Sequence, residues 1–393
     1  MKSFTYYAPT KVVFGKETET HVAELIKEFG GKKVLLHYGG KSAEKSGLLG
    51  KVEKSLQDAG IEYVKLGGVV PNPRLSLVHE GIELCKKENV DFLLAVGGGS
   101  VIDSIKAISS GRFYEGDVWD LYLRKACATK YLPVACILTI PAAGSEMSGA
   151  SVITNEEGWL KKDYGADELR PKFAIMNPEY TFSLPAWQTA CGVTDMMMHT
   201  FERYFSKDDD MEVTDSVAEA LLRTIMSEAH KVMENPNDYA SRAQIMWAGS
   251  LAHNDLTGCG TSDDWATHTL EHELSGMFDV SHGAGLAALW GSWARYTRSE
   301  NMPRFARFAV NVMGVDATGL SVEETAEAGI KAMEAFFSSI GMPTNIHDLI
   351  GREITDAEIE EMAMKCSNGG NGTCGCLKTL AYADMVNIYK MAK

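Results

Sequence analysis

Short apolar runs alternate with amphipathic stretches over roughly the first 180 residues, the pattern of an α/β domain with a largely parallel sheet. Val34-Leu35-Leu36-His37-Tyr38 reads as a buried strand ending at Gly39-Gly40, and Leu48, Leu49, Val52 and Leu56 then recur at helical spacing. Ile61 to Leu66 is the next strand, followed by the turn Pro71-Asn72-Pro73. Leu77, Val78, Ile82, Leu84 and Cys85 mark a further helix. Phe92-Leu93-Leu94-Ala95-Val96 is a strand running into Gly97-Gly98-Gly99-Ser100, and Leu132 to Thr139 is another.

The texture changes after Asn177-Pro178. From Leu184 onward β-branched runs are scarce, and Ala, Leu, Met and Glu recur at helical periods, as in Thr214 to Val232 and Glu323 to Phe337. The pattern predicts an α/β domain over residues 1–180 and an all-α domain over 181–393, divided near Asn177 to Leu184, where Pro178 and Pro185 flank the change. A length of 393 residues suits two cores better than one.

Composition narrows the function. A net charge of −15 argues against a general nucleic-acid binder, because phosphate backbones need clustered cations. No apolar run approaches the roughly 18 residues of a membrane span, and Met1-Lys2-Ser3-Phe4-Thr5 lacks a secretory apolar segment, so a cytoplasmic protein is expected. Eight scattered cysteines suit reduced thiols. Cys366, Cys374 and Cys376 gather near Gly369-Gly370-Asn371-Gly372, but no CxxC pair is present; incidental thiols on a glycine-rich loop outweigh a structural metal there.

Histidine carries the clearest chemistry, six of ten falling between residues 199 and 282. Asp195 and His199 are four apart, as are His268 and His272, and on a helix each pair shares one face. His282 follows in Ser281-His282-Gly283. Imidazole and carboxylate suit Fe(II) or Zn(II), with a position left open for substrate. One such pair arises by chance in many helical proteins. Two pairs plus a histidine-glycine turn make a metal centre and a packed core about equally good readings.

The ordered motifs Pro9-Thr10-Lys11-Val12-Val13-Phe14-Gly15, Pro71-Asn72-Pro73, Gly97-Gly98-Gly99-Ser100-Val101-Ile102-Asp103-Ser104-Ile105-Lys106, Gly192-Val193-Thr194-Asp195, Trp265-Ala266-Thr267-His268-Thr269-Leu270-Glu271-His272-Glu273-Leu274-Ser275 and Ser281-His282-Gly283-Ala284-Gly285 resemble those of the iron-dependent (group III) alcohol dehydrogenases, in particular their butanol dehydrogenase-like branch. The resemblance spans nearly the whole chain. It implies a dehydroquinate synthase-like fold, with an N-terminal dinucleotide-binding α/β domain and an all-α metal domain. It implies Asp195, His199, His268 and His282 as metal ligands. His272 matches a family histidine beside nicotinamide and substrate; a core role is the equal alternative.

For the cofactor, Gly97, Gly98, Gly99 and Ser100 follow a strand and open a helix, so backbone N–H groups can meet a pyrophosphate at the positive helix end. Asp103, placed on the first turn of that helix, is a further candidate contact, although an acid there also suits the helix dipole. The resemblance implies Asn72 on the adenosine side, and Thr139, Ser148 and Lys161 toward the nicotinamide. Lys162 beside Lys161 leaves that register open by one, and the loop around Ser148 departs from the family's threonine-rich version. Around Gly39, Gly40, Lys41 and Ser42 no acid is present to bind a ribose 2′-OH, and Lys41 and Ser42 are offered instead, which predicts NADP(H) over NAD(H), or use of both.

The implied reaction is metal-assisted hydride exchange between nicotinamide and a short-chain primary alcohol or aldehyde such as butanol or butanal, with a homodimer expected. Trp265, Phe278, Met197 and Met198 suggest an apolar pocket, and each serves equally as plain core. A glycerol-type polyol dehydrogenase is the nearest alternative, although its set of one carboxylate and two histidines differs from three histidines. A dehydroquinate synthase-type lyase is more remote, since the metal half shows no Lys/Arg cluster for a phosphorylated, carboxylated substrate.

Overall fold

A computed structural model describes residues 1–40 and 42–393. Eight strands occur among them: β1 (Lys11–Phe14), β2 (Lys33–Tyr38), β3 (Glu62–Leu66), β4 (Phe92–Gly98), β5 (Val134–Ile140), β6 (Ala150–Asn155), β7 (Leu160–Gly165) and β8 (Phe173–Met176). Six form one parallel sheet in the order β1-β8-β5-β4-β2-β3, and β6 and β7 form an antiparallel hairpin. The strand expected from Leu132 begins at Val134, because Pro133 has no N–H to give the ladder. Its carbonyl still accepts from Leu93 N–H at 2.9 Å.

Both faces of the sheet are covered, which is why the central strands read as unbroken apolar runs. Leu35, Leu93 and Ala95 pack on one side with helices Leu75–Glu88 and Gly99–Gly111. Val34, Leu36, Phe92, Leu94 and Val96 pack on the other with Val22–Glu28 and Leu48–Asp58. The chain leaves β2 outward to β3 but leaves β4 toward β5, so its direction reverses between β2 and β4. In open α/β sheets ligands bind beyond the carboxyl ends of the strands at this switch point.

The other unit is helical. Its helices include Ala186–Tyr204, Glu212–Glu234, Ala266–Phe278, His282–Thr297 and Val322–Ser339. The last starts at a capping box, with Glu324 N–H donating to Ser321 Oγ (3.2 Å) and Ser321 N–H to Glu324 Oε2 (2.8 Å). Phe201, Phe205, Trp290 and Phe308 interlock with ring centroids 5.2–5.5 Å apart between several of them, which fixes helix Ala186–Tyr204 against His282–Thr297. The units are discontinuous in sequence: one comprises Tyr7–Leu184 with Asn237–Ser250, the other Met1–Tyr6, Pro185–Pro236 and Leu251–Lys393. No helix among the described residues is long and apolar enough to cross a membrane.

Candidate metal centre and cofactor-binding strand ends

Three helices supply the polar cluster of the helical unit. Asp195 and His199 lie in Ala186–Tyr204, His268 and His272 in Ala266–Phe278, and His282 is the first residue of His282–Thr297. Local geometry at the joins is unusual. Trp265, before the second helix, has φ 59°, and Asp279, after it, has φ 49°, so both are left-handed. That conformation is uncommon for a residue with a bulky side chain. Trp265 is held in place by its Nε1–H to Asp263 Oδ2 (3.3 Å) and by the Arg203 guanidinium 5.0 Å from its ring. Gly283 allows the third helix to approach the first, since a Cβ there would stand 2.1 Å from the Cys191 carbonyl oxygen.

Asp195 Oδ1 lies 3.4 Å from His199 Nδ1 and 3.8 Å from both His268 Nε2 and His282 Nε2. Asp195, His268 and His282 each offer an atom within 4.8 Å of the other two; His199 falls outside that mutually close group. The 3.8 Å separations are too long for hydrogen bonds. Asp195 Oδ1, His199 Nδ1 and His268 Nε2 are buried and have no hydrogen-bond partner. Donors held at about 2.1 Å in a tetrahedron stand about 3.4 Å from one another, so a carboxylate and imidazoles converging at this spacing fit a divalent transition ion.

Two further carboxylates complete the cluster. Glu202 Oε1 accepts from His268 Nδ1 (2.6 Å) and from the His268 backbone N–H (3.0 Å), and Glu271 Oε2 accepts from His282 Nδ1. Burial pulls the His268 imidazole down, but Asp195 and Glu202 outweigh it and hold the group up at about 9; its proton would be released on metal binding. Burial, reinforced by His253, His268 and Arg203, holds His199 well below the usual imidazole range and therefore neutral. The His253 ring lies tilted against that of His199 with centroids 4.0 Å apart, and Arg203 Nη1 donates to the His199 backbone carbonyl (2.9 Å). His272 is half-buried, its ring 5.7 Å from that of His282. It groups with Glu271 and His282 rather than with Asp195.

Glu202, Glu271, His253 and Arg203 were not anticipated from the sequence. A signal existed for the glutamates: each follows a candidate histidine by three residues in an otherwise apolar helical stretch, and a buried acid needs a partner. Spacing alone names the wrong partner for both: Glu202 serves His268 rather than His199, and Glu271 serves His282 rather than His268.

In the α/β unit, Gly39 and Gly40 follow β2 and Gly97 and Gly98 end β4, strands in register as Tyr38 with Val96. The switch point thus brings the two glycine pairs to adjacent strand ends. Gly99 and Ser100 open helix Gly99–Gly111, directing free backbone N–H groups there. A Cβ on Gly97 would stand 2.4 Å from Val101 Cγ2, and one on Gly98 2.9 Å from Ile140 Cβ, so the tight turn admits no side chain. Ser42 is exposed, and Lys41 lies outside the described residues. Asn72 is buried with φ 53°, its carbonyl accepting from Arg74 Nη1 (2.8 Å). Thr139 stands half-buried near the end of β5.

Three candidates are tied into the scaffold. Asp103 is the fifth residue of its helix, not on the first turn, since the helix starts at Gly99. Its carboxylate accepts from Ser145 Oγ (2.6 Å) and Val152 N–H (3.0 Å), anchoring the hairpin and the loop before it. Ser148 is buried, and its carbonyl accepts from Lys106 Nζ (2.9 Å). Lys161 is buried on β7 opposite Thr154, whereas Lys162 is half-exposed, which separates the two registers.

Sequence models of two kinds match the chain: iron-containing alcohol dehydrogenase over residues 9–178, and the C-terminal region of the Fe-containing alcohol dehydrogenase family over 189–393. NADH-dependent butanol dehydrogenase A of Clostridium acetobutylicum is 41% identical over 392 residues, covering 99% of each chain. The NADPH-dependent aldehyde reductase YqhD of Escherichia coli is 35% identical, covering 88% of this chain and 89% of its own. The crystal structure of NADH-dependent butanol dehydrogenase A from Thermotoga maritima superposes with a TM-score of 0.95 at 38% identity, covering 100% of this chain and 99% of that one.

These relatives overturn the expected preference for NADP(H): those at 38–41% identity are named for NADH, and the NADPH-dependent one is less similar. The physical error lay in treating a missing acid with a neighbouring Lys41 as a phosphate site. Backbone groups can satisfy a ribose hydroxyl with no acid present, whereas a 2′-phosphate needs a cation; among the described residues Lys65, near the end of neighbouring β3, is engaged by Glu53 at 3.2 Å. With both halves matched over nearly their full length, the chain belongs to the iron-containing alcohol dehydrogenase family.

Proposed function

We propose that this chain is a metal-dependent, NADH-linked alcohol dehydrogenase and aldehyde reductase for short-chain substrates such as butanol and butanal. The observation that carries the reading is the convergence of Asp195 Oδ1 with the Nε2 atoms of His268 and His282, at distances that are not hydrogen bonds, with two of those atoms buried and unpartnered. Asp195, His199, His268 and His282 would hold the ion. Fe(II) or Zn(II) bound there supplies Lewis acidity toward an alcohol or carbonyl oxygen, and the nicotinamide supplies or accepts hydride.

The remaining work falls to the protein. The N–H groups at Gly99 and Ser100 orient the cofactor pyrophosphate, and the glycines at the ends of β2 and β4 let it approach the backbone. His272, beside His282 but outside the Asp195 group, receives the hydroxyl proton on oxidation and returns it on reduction. The half-buried Trp265, its ring 5.2 Å from that of His268 and 5.8 Å from that of His199, gives the cluster an apolar flank, which suits short aliphatic substrates over polyols.

The test is butanal reduction by the purified protein with NADH and with NADPH, before and after chelation and after return of Fe(II) or Zn(II). Activity that requires metal and favours NADH is expected. Full turnover by protein shown to be metal-free would refute the mechanism, and higher kcat/KM for glycerol than for butanol would refute the substrate class.

A further inference from the structure

We propose that Glu202 and Glu271 are positioning residues that fix His268 and His282 with Nδ1 protonated and the Nε2 lone pair turned toward the metal; this rests on the metal reading above. An imidazole has two nitrogens, and the partner of one decides which lone pair the other presents. An ionised carboxylate only accepts, so Nδ1 of each ring carries the proton. Both Nε2 atoms then face Asp195 Oδ1, each at 3.8 Å.

The two glutamates link the three helices in series. Glu202, on the helix of Asp195, holds His268 on the second helix; Glu271, on that second helix, holds His282 at the start of the third. Their side chains are 1% and 0% exposed. Space for the second pair is built in, because a Cβ at position 285 would lie 2.6 Å from Glu271 Oε1, and the residue there is Gly285.

Charge gives an independent argument. Asp195, Glu202 and Glu271 place three buried carboxylates in one cluster, more acid than the imidazole N–H donors to Glu202 and Glu271 offset, and a buried anion that is not fully compensated costs several kcal/mol. Helix packing alone would be served better by apolar side chains. A divalent cation at the centre compensates this charge, and histidine ligands commonly donate their other N–H to a carboxylate for that purpose.

The experiment strips the full-length protein of metal and titrates Zn(II) against a competing chromophoric chelator, alongside thermal unfolding of the metal-free form. Glu202→Ala and Glu271→Ala should each weaken Zn(II) binding by about 10- to 100-fold, the usual effect of losing such a partner, a loss larger than any fall in metal-free stability. The Gln variants keep volume and an acceptor oxygen, and should recover part of the affinity. In Zn(II)-loaded wild type, downfield imidazole N–H proton resonances are expected, one lost in each Ala variant and kept in the matching Gln variant. Unchanged Zn(II) affinity in both Ala variants would overturn this inference alone. An affinity loss matched by an equal fall in metal-free stability would also overturn it, assigning the glutamates to packing. A wild type that takes up no Zn(II) would overturn the metal reading beneath it.

Discussion

Replacing Gly283 by alanine tests whether the approach of two helices sets the metal centre. The new Cβ would stand 2.1 Å from the carbonyl oxygen of Cys191, 2.7 Å from its carbonyl carbon and 2.8 Å from its Cα. All three are backbone atoms inside helix Ala186–Tyr204, so no side-chain rotation relieves the clash. Ordinary contact begins near 3.4 Å, so the helices must part by about 1 Å, and overpacking of this kind costs about 1–3 kcal/mol. Cys191 lies one turn before Asp195, and Gly283 adjoins His282, so the displacement falls directly between two candidate ligands. Ligand distances tolerate about 0.2 Å, and a 1 Å error at a reacting centre costs about 10²-fold in rate. The expected result is weak metal retention by elemental analysis and a fall of that order in kcat/KM for butanal. Gly291→Ala is the control: its Cβ also meets an atom at 2.1 Å, but that atom is Oε1 of the Glu334 side chain, which can swing. If Gly283→Ala keeps full metal and wild-type kcat/KM, the helix approach does not set the ligand geometry.

Three other outcomes follow from particular groups. His272→Ala should retain metal while kcat falls by about 10²–10⁴-fold, the range for losing a proton-transfer residue; metal loss in this variant would make His272 a ligand. Lys106 is fully buried and donates to Ser145 O, Ser145 Oγ, Ser148 O and Ala150 O at 2.7–2.9 Å. Lys106→Met strands buried carbonyls at about 1–3 kcal/mol apiece, so Tm should drop and the KM for NADH should rise more than kcat falls; an unchanged Tm refutes this. Burial pulls His37 down to about 4 from 6.5, against its Nδ1–H bond to the Leu66 carbonyl. The unfolded chain therefore takes up this proton before the native state does, so the stabilisation is complete above pH 6.5 and is lost as pH falls toward 4. The loss is about 3 kcal/mol at most. Unfolding free energies against pH should show this acid slope in wild type and not in His37→Gln, and identical slopes would assign it to other groups.

The parts of this molecule that the sequence makes legible are those where one local constraint dominates. Residues 34–36 and 92–96 are continuous apolar runs because both sheet faces are covered. The helices at Glu212–Glu234 and Val322–Ser339 show themselves by period for the same reason. The glycines after β2 and β4 are visible as turns, but their adjacency depends on strand order, which period does not encode. Sequence reasoning goes wrong at the cofactor: a missing acid near Gly39 and Gly40 with Lys41 beside them does not make a 2′-phosphate site.

The metal centre divides along the same line. A four-residue spacing places Asp195 with His199, and His268 with His272, on helix faces, yet the structure sets His268 and His282 with Asp195 and leaves His272 outside that group. Helix period relates neighbours on one element, whereas these contacts join three. The glutamates show this most clearly. Glu202 and His268 are 66 residues apart, and Glu271 and His282 are 11 apart across a turn with a left-handed Asp279. Viewed singly, each is an ordinary helical acid. Their burial becomes intelligible only once the helices are packed and the charge at their junction is counted, because a buried carboxylate is tolerated where something positive or a donor meets it. Here the donors are histidine N–H groups whose opposite nitrogens converge on Asp195, so the same packing that hides the acids also aims the imidazoles.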